Sequence, residues 1–448
     1  MPDTNDLARE SSSPMDQSSP SRPTFFRSLR HRNFQLFFGG QLISLTGTWM
    51  QSVAQSWLVY KLKGSAVLLG LVGFSSQFPV FLLAPVGGLV ADNRNRHRIL
   101  IATQTAAMIL ALVLAALTLT RHIEVWQIFV LAGLLGVVNA FDIPARQAFV
   151  MDMVGRDDLM NAIALNSSMV NGARIVGPAV AGVLVAAVGE GWCFLINGAS
   201  YIAVIAGLLL MRLTGYKKRA RQGSPLANIV EGFRYAGRKG PIRALLLLLG
   251  LVSLMGMPYA VLMPIFADQI LHGGARGLGI LMGASGCGAL IGALTLAGRH
   301  GIRGLGRWVA VSAAGFGGSL ILFSGSHSFW LAALVLLPCG FFFMVEMAAS
   351  NTLIQAMVTD QLRGRVMAIY SMMFMGMAPI GALLAGTLAG RIGAPKTVAL
   401  GGLVCVVGGL IFLLRLPALR DEARQLIVSL EMAGGNPAEE ITSQHLSS

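Results

Sequence analysis

The stretch Gly87-Gly88-Leu89-Val90-Ala91-Asp92-Asn93-Arg94-Asn95-Arg96-His97-Arg98 is a polar knot between two long uncharged runs, residues 66–85 and 99–120. Each run has about the 20 residues that a helix needs to cross the core of a bilayer. The knot therefore reads as a short loop joining two membrane helices. Arg94, Arg96, His97 and Arg98 crowd into it. Basic loops resist translocation, so this one is expected on the cytoplasmic side. Asp92 is the odd member, a carboxylate among arginines at a helix end.

The pattern extends along the chain. Of 448 residues, 54% are hydrophobic and 12% charged, about half the charged share of a soluble domain. The charges fall in blocks, which predicts an all-α integral membrane protein. Twelve transmembrane helices are expected, at roughly 34–58, 66–90, 99–120, 125–145, 161–187, 192–211, 243–266, 277–298, 307–324, 329–350, 366–389 and 397–416. The net charge of +14 sits between these spans, so it reads as topology and not as a nucleic-acid surface. Lys61, Lys63, Arg121, Arg276, Arg391 and Lys396 fall on one side, Arg174 lies inside a span, and the remaining lysines and arginines fall on the other. Both termini are thus expected in the cytoplasm.

Residues 1–32 are rich in Ser, Pro and Asp and end in a basic cluster. They have no apolar signal region and read as a disordered cytoplasmic tail. Residues 33–211 and 243–416 form two six-span bundles, joined by a basic linker at 212–242 and followed by a tail at 417–448. Within the linker, 225–237 has the pattern of an amphipathic helix lying on the membrane surface. Residues 136–189 align without gaps on 340–393, bringing Gly136 onto Gly340, Gly172 onto Gly376, Gly177 onto Gly381, Gly182 onto Gly386, and Asp142 onto Glu346. Two parallel halves place a binding site at their interface near mid-membrane. The four cysteines lie in apolar spans without paired spacing and read as packing residues, so neither disulfide nor metal is expected.

Several polar residues inside spans are candidates for function. Arg174 lies about 13 residues into the fifth span, roughly 20 Å along a helix. A charge at that depth costs at least about 2.5–3.5 kcal/mol and usually faces a cavity or a partner. Asp142 and Glu346 are its candidate partners, with Asn166 and Asn171 as polar neighbours. Both carboxylates sit in apolar surroundings where a proton could be taken up and released, or Asp142 could simply pair with nearby Arg146. On the fifth span, Gly172, Gly177 and Gly182 are spaced for close helix contact and Pro178 frees a carbonyl. This suits either a rocking helix or ordinary packing. Cavity-lining candidates are Gln41, Trp49, Gln51 and Gln55 on span 1, Gln77 on span 2, Tyr259 on span 7, Phe341–Phe343 with Phe342 at the centre, and Tyr370, Met372, Met373 and Met375 on span 11. Aromatic and Met side chains make adaptable apolar surfaces, and they are also common core.

The segment Gly88-x-x-Ala91-Asp92-x-x-x-Arg96 resembles the loop signature of the major facilitator superfamily, with Asn95 in place of a glycine and His97 in place of a second basic residue. At the dipole end of span 11, Asp92 reads either as a latch closing the cytoplasmic side or as a helix-terminal acid balancing local arginines; the resemblance implies the latch, with Gly88 and Arg96. The second-half counterpart, residues 292–307, keeps its arginines but has no Asp. Three further segments are similar to the branch with enterobactin-type siderophore exporters and macrolide efflux proteins: 40–51 with Ala54 and Trp57, 142–148, and 174–182. The similarity covers about residues 28–416. It implies efflux of a small amphipathic solute across the inner membrane, driven by protons. The stretch Gly172–Gly182 also resembles the antiporter motif of drug/proton exchangers, but their span-4 arginine is missing from 125–138. A lysophospholipid flippase of the same fold and a non-transporting membrane sensor or scaffold are the competing readings. No HExxH, GxSxG or Walker loop occurs, so neither catalysis nor ATP is expected. No cofactor is expected, and the protein is expected to be a monomer.

Overall fold

The computed structural model describes residues 27–155, 158–212, 225–299 and 301–432. A 3₁₀ turn at Arg27–Arg30 leads into α1 (Arg32–Lys63), α2 (Ala66–Asn93), α3 (Arg96–Leu119), α4 (Val125–Val154), α5 (Leu159–Val188) and α6 (Glu190–Leu209). The linker helix α7 (Pro225–Arg238) follows. The second half contains α8 (Gly240–Leu251), α9 (Tyr259–Ile265), α10 (Gly274–Ala297), α11 (Leu305–Ser324), α12 (Phe329–Ala356), α13 (Asp360–Ile392) and α14 (Ala394–Met432). Helices α8 and α9 belong to one span, interrupted by π turns at Val252–Gly256 and Phe266–Ile270.

Local chemistry sets the breaks. Gly64 closes α1 with φ +60°, a conformation that costs glycine nothing. The Ser65 side chain then opens α2. Asn95, at the position where the loop signature carries glycine, caps α3 by accepting from the backbone N–H of Arg98 at 3.3 Å. Glu124 and Gln127 form a capping box at the start of α4. Among the described residues, eleven helical segments are long and apolar enough to cross a membrane. Helix α1 is the twelfth by length, with 32 residues. Its buried Gln41, Ser44, Gln51 and Gln55 lower its apolarity.

Three boundaries differ from the sequence expectation. Residues 27–30 are not tail: Arg27 and His31 each meet Asp158 at 2.7 Å, and Ser28 bonds Asn161. Helix α4 runs on to Val154 instead of ending near 145, because its last turns bury Phe149, Val150 and Met153. Arg146 is therefore inside α4, beyond the arginine-free stretch 125–138. At the C-terminal end no break follows residue 416. Pro417 is accommodated within α14, which continues to Met432. The expected tails 1–26 and 433–448 and linker residues 213–224 lie outside the described residues.

The first half packs α1 on α5 and α6, α3 on α4 and α6, and α2 on α4. The second packs α10 and α11 on α12, and α11 on α14. The repeat is physical. Gly136 lets α4 approach the backbone of α2 at Ser76, and its counterpart Gly340 lets α12 approach α10 at Ser285. Gly177 brings α5 against α1 at Thr46, and Gly381 brings α13 against Leu254 and Pro258. The halves meet along α5/α10 and α2/α13. At one seam a Cβ on Gly182 would lie 3.0 Å from the Cα of Gly279; at the other a Cβ on Gly386 would lie 2.8 Å from that of Gly70. Both contacts lie toward the end of the bundle opposite the basic loops, here the far end. Leu82, Leu209, Leu322 and Leu414 are largely exposed, as helix faces turned to lipid require. Trp126, Trp192 and Trp330 ring the far end, at the starts of α4, α6 and α12, where a membrane interface favours them.

Candidate functional site

Arg174 sits midway along the 30-residue α5. Its guanidinium carbon lies over the ring of Trp49 on α1, 5.6 Å from the centroid, and over Phe343 on α12, 5.9 Å from the centroid. Tyr259 on α9 is an electrostatic neighbour, and its hydroxyl bonds the Ser285 hydroxyl of α10 at 2.7 Å. Gly286 of α10 packs against the backbone of Arg174 and Ile175. The group thus joins residues of both halves at mid-height. The two carboxylates named from sequence do not pair with it, because each is engaged inside its own half.

Asp142 on α4 is buried. It meets Arg146, one turn further along, at 3.0 Å. It also accepts from the Thr103 hydroxyl and the Gln104 amide of α3, each at 2.8 Å. Arg146 in turn donates to Gln41 at 3.2 Å. These residues line a cavity of about 40 Å³ inside the first half. Its donors complete a buried ion pair, the condition under which a carboxylate is tolerated there.

Glu346 occupies the equivalent place on α12 and is 0% exposed. Ser350, not an arginine, stands one turn further along and donates to Oε1 at 3.3 Å. The other oxygen, Oε2, has no hydrogen-bond partner among the described residues. Residue 350 aligns with residue 146 in the repeat. The halves therefore hold matched carboxylates with unmatched partners.

The remaining candidates separate by location. Gln51 accepts from Asn197 at 2.7 Å, between α1 and α6. Gln41, Gln51 and Gln55 are all buried, and the partners of Gln41 and Gln51, Arg146 and Asn197, lie within the first bundle. Phe342 packs beside Gly315 of α11, and Tyr370 donates to the Met347 carbonyl, bracing α13 on α12. Met373 lies by Gly250 of α8. Of the cavity candidates, the structure brings Trp49, Tyr259 and Phe343 to Arg174. On α5, Gly177 and Gly182 make the close contacts foreseen, whereas a Cβ on Gly172 would meet nothing within 4 Å.

At the basic end, Gly87 approaches the Ala140 carbonyl of α4, but a Cβ on Gly88 would meet nothing within 4 Å. Arg96 binds both oxygens of Asp152 on α4 (2.9 and 3.0 Å) and the carbonyls of Ala91 and Ala148. It lies 3.9 Å from Asp92. Arg96 therefore ties α2, α3 and α4 together within the first half. His97 meets the Leu208 carbonyl of α6 at 2.7 Å and stacks near Phe149, which accounts for an aromatic donor at that position.

Sequence reading missed one polar contact between the halves. The Tyr60 hydroxyl of α1 donates to Asp268, in the second π turn, at 2.7 Å. No spacing signal links residues on different halves, and Asp268 falls just past the expected end of its span, where an acid is unremarkable.

Two six-helix halves packed around a mid-height cation define a membrane transporter with the architecture of the major facilitator superfamily. The chain belongs to the transmembrane secretion effector family, whose model matches residues 23–444. It is 28% identical over 379 residues to the staphyloferrin A transporter of Staphylococcus aureus, covering 83% of this chain and 93% of that one. It is 26% identical to the multidrug efflux pump Tap of Mycolicibacterium fortuitum, covering 84% and 93%. It is also 26% identical to the enterobactin exporter EntS of Citrobacter koseri, covering 87% and 93%. Among solved structures, nucleoside transporter NupG superposes with TM-score 0.67 at 15% identity, over 86% of this chain and 98% of that one. A POT family transporter superposes with TM-score 0.70 at 11% identity, over 87% and 96%. These two likenesses concern the fold alone.

Proposed function

We propose that this protein is a proton-coupled exporter of a small amphipathic solute, siderophore-like or drug-like. It works by alternating access in the inner membrane, as a monomer with both termini in the cytoplasm. The names of its relatives support the solute class, and the basic loops support the sidedness. The observation that carries the coupling is the pair of unmatched carboxylates. Asp142 has Arg146 and can remain an ion. Glu346 has Ser350 and a bare oxygen in a sealed site. An unpaired buried ion costs several kcal/mol, so the neutral acid is the form this setting accommodates. In the cycle, Glu346 holds a proton while sealed and releases it when helix movement admits water from the cytoplasm. Each half turns about the glycine seams, which stay closed at the far end while the cytoplasmic end is accessible.

The test is transport in proteoliposomes with an imposed pH gradient, screening siderophores and macrolides. The proposal expects solute movement opposite to the proton gradient, and its loss in Glu346→Gln with binding retained. Full gradient-driven flux in Glu346→Gln would overturn the assignment of the coupling residue. Flux indifferent to the gradient for every solute moved would overturn the coupling itself.

A further inference from the structure

Arg174 carries five N–H donors, and among the described residues none makes a hydrogen bond or ion pair. It touches Trp49 and Phe343 only through their rings. Such cation–π contacts attract the charge to the ring face. They use the charge and leave the donors free at the edges of the guanidinium plane. Arg174 is only partly buried, so its donors are not sealed from solvent. The group sits between the halves, where α5, α1, α9, α10 and α12 converge.

Each nearby acid is accounted for elsewhere. Asp142 is committed to Arg146, Thr103 and Gln104, and Glu346 is sealed against Ser350. A fixed cation at mid-membrane with free planar donors fits an oxyanion, which a guanidinium grips through two parallel bonds. The rings beside it fit a flat apolar body attached to that oxyanion. We infer that Arg174, with Trp49, Tyr259 and Phe343, forms a site for an anionic solute: a carboxylate or similar oxyanion joined to a planar ring system. This inference rests on the transporter reading and narrows its solute class.

The test measures binding without any gradient, so it is independent of proton coupling. Protein in lipid nanodiscs is dialysed against 2-naphthoate and against neutral 2-naphthamide, with empty nanodiscs correcting for partition into lipid. A charge-assisted pair contributes about 1.5–3 kcal/mol, so naphthoate should bind roughly tenfold or more tightly than naphthamide. Arg174→Gln should abolish that preference. Arg174→Lys should keep its direction, and its binding shows that position 174 tolerates change. Arg391→Gln, which removes an exposed far-end cation, should leave the preference intact. Naphthoate binding no tighter than naphthamide, or an unchanged preference in Arg174→Gln, overturns the anion site and leaves the coupling proposal standing. Gradient-independent transport combined with a preserved Arg174-dependent preference would do the reverse.

Discussion

The sharpest contrast in the molecule is between two residues one turn along matched helices, Arg146 and Ser350. It makes two predictions. Ser350→Arg copies the first half's ion pair into the second, so Glu346 should become a permanent partner of the new cation. The variant should insert and bind solute but lose gradient-driven flux, as read in proteoliposomes. Flux equal to the parent would show that Glu346 is not the proton carrier. Arg146→Ser strips Asp142 of its cation and leaves a charge in a buried site. Breaking such a pair costs roughly 3–5 kcal/mol, so the midpoint of thermal unfolding in detergent should fall, whereas Asp142→Asn with Arg146→Ser should recover part of the loss. Residue identity made much of this legible. The alignment of Asp142 with Glu346 was visible in the chain, and so was Arg146 four residues away. What could not be read was which acid lacked a partner, because that depends on Thr103 and Gln104 arriving from α3 and on Ser350 being too short and neutral to substitute.

Among the elements, the long spans were legible because periodic polarity is not needed in lipid: an uninterrupted apolar run of sufficient length is enough. Helix ends were less legible. Helix α4 outlasts its expected end because Phe149 and Val150 pack on α1, α3 and α6. Helix α14, with 39 residues, is longer than a bilayer crossing needs. The bonds that hold Gln41 and Gln51 inside the first bundle were not legible, because composition does not say which side of α1 faces its own bundle. Helix α5 offers the clearest element-level test. Its Gly182 faces Gly279 at 3.0 Å from a virtual Cβ, with the Ala275 carbonyl at 3.1 Å. Gly182→Leu should force α5 from α10 and abolish transport at normal expression, measured by flux alongside quantified membrane protein. Gly172→Ala, in open space, should leave flux close to that of the parent. Equal damage from both would mean that α5 glycines serve the helix itself and not the seam.

At the scale of the whole molecule, the two halves are held at the far end by the Tyr60–Asp268 bond and the two glycine seams. A hydrogen bond to a charged group is worth about 1.5–3 kcal/mol, so losing this one should shift a two-state balance roughly tenfold or more. Tyr60→Phe should therefore enrich conformers parted at that end, seen as a longer distance population between spin labels at positions 121 and 391. An unchanged distance distribution would remove Tyr60 from the gate. The linker helix α7 belongs to the second half: its Glu231 pairs with Arg365, and Gly232 rests on the backbone there. The glycine seams carry one more implication. A cell that stores energy as a voltage and an acid difference cannot tolerate a short circuit through its own machinery. Where backbone meets backbone at Gly182 and Gly279, and again at Gly70 and Gly386, there is no room for a file of water molecules to relay protons. Bare backbone on both sides closes that gap, and a bulky side chain added there should wedge it open.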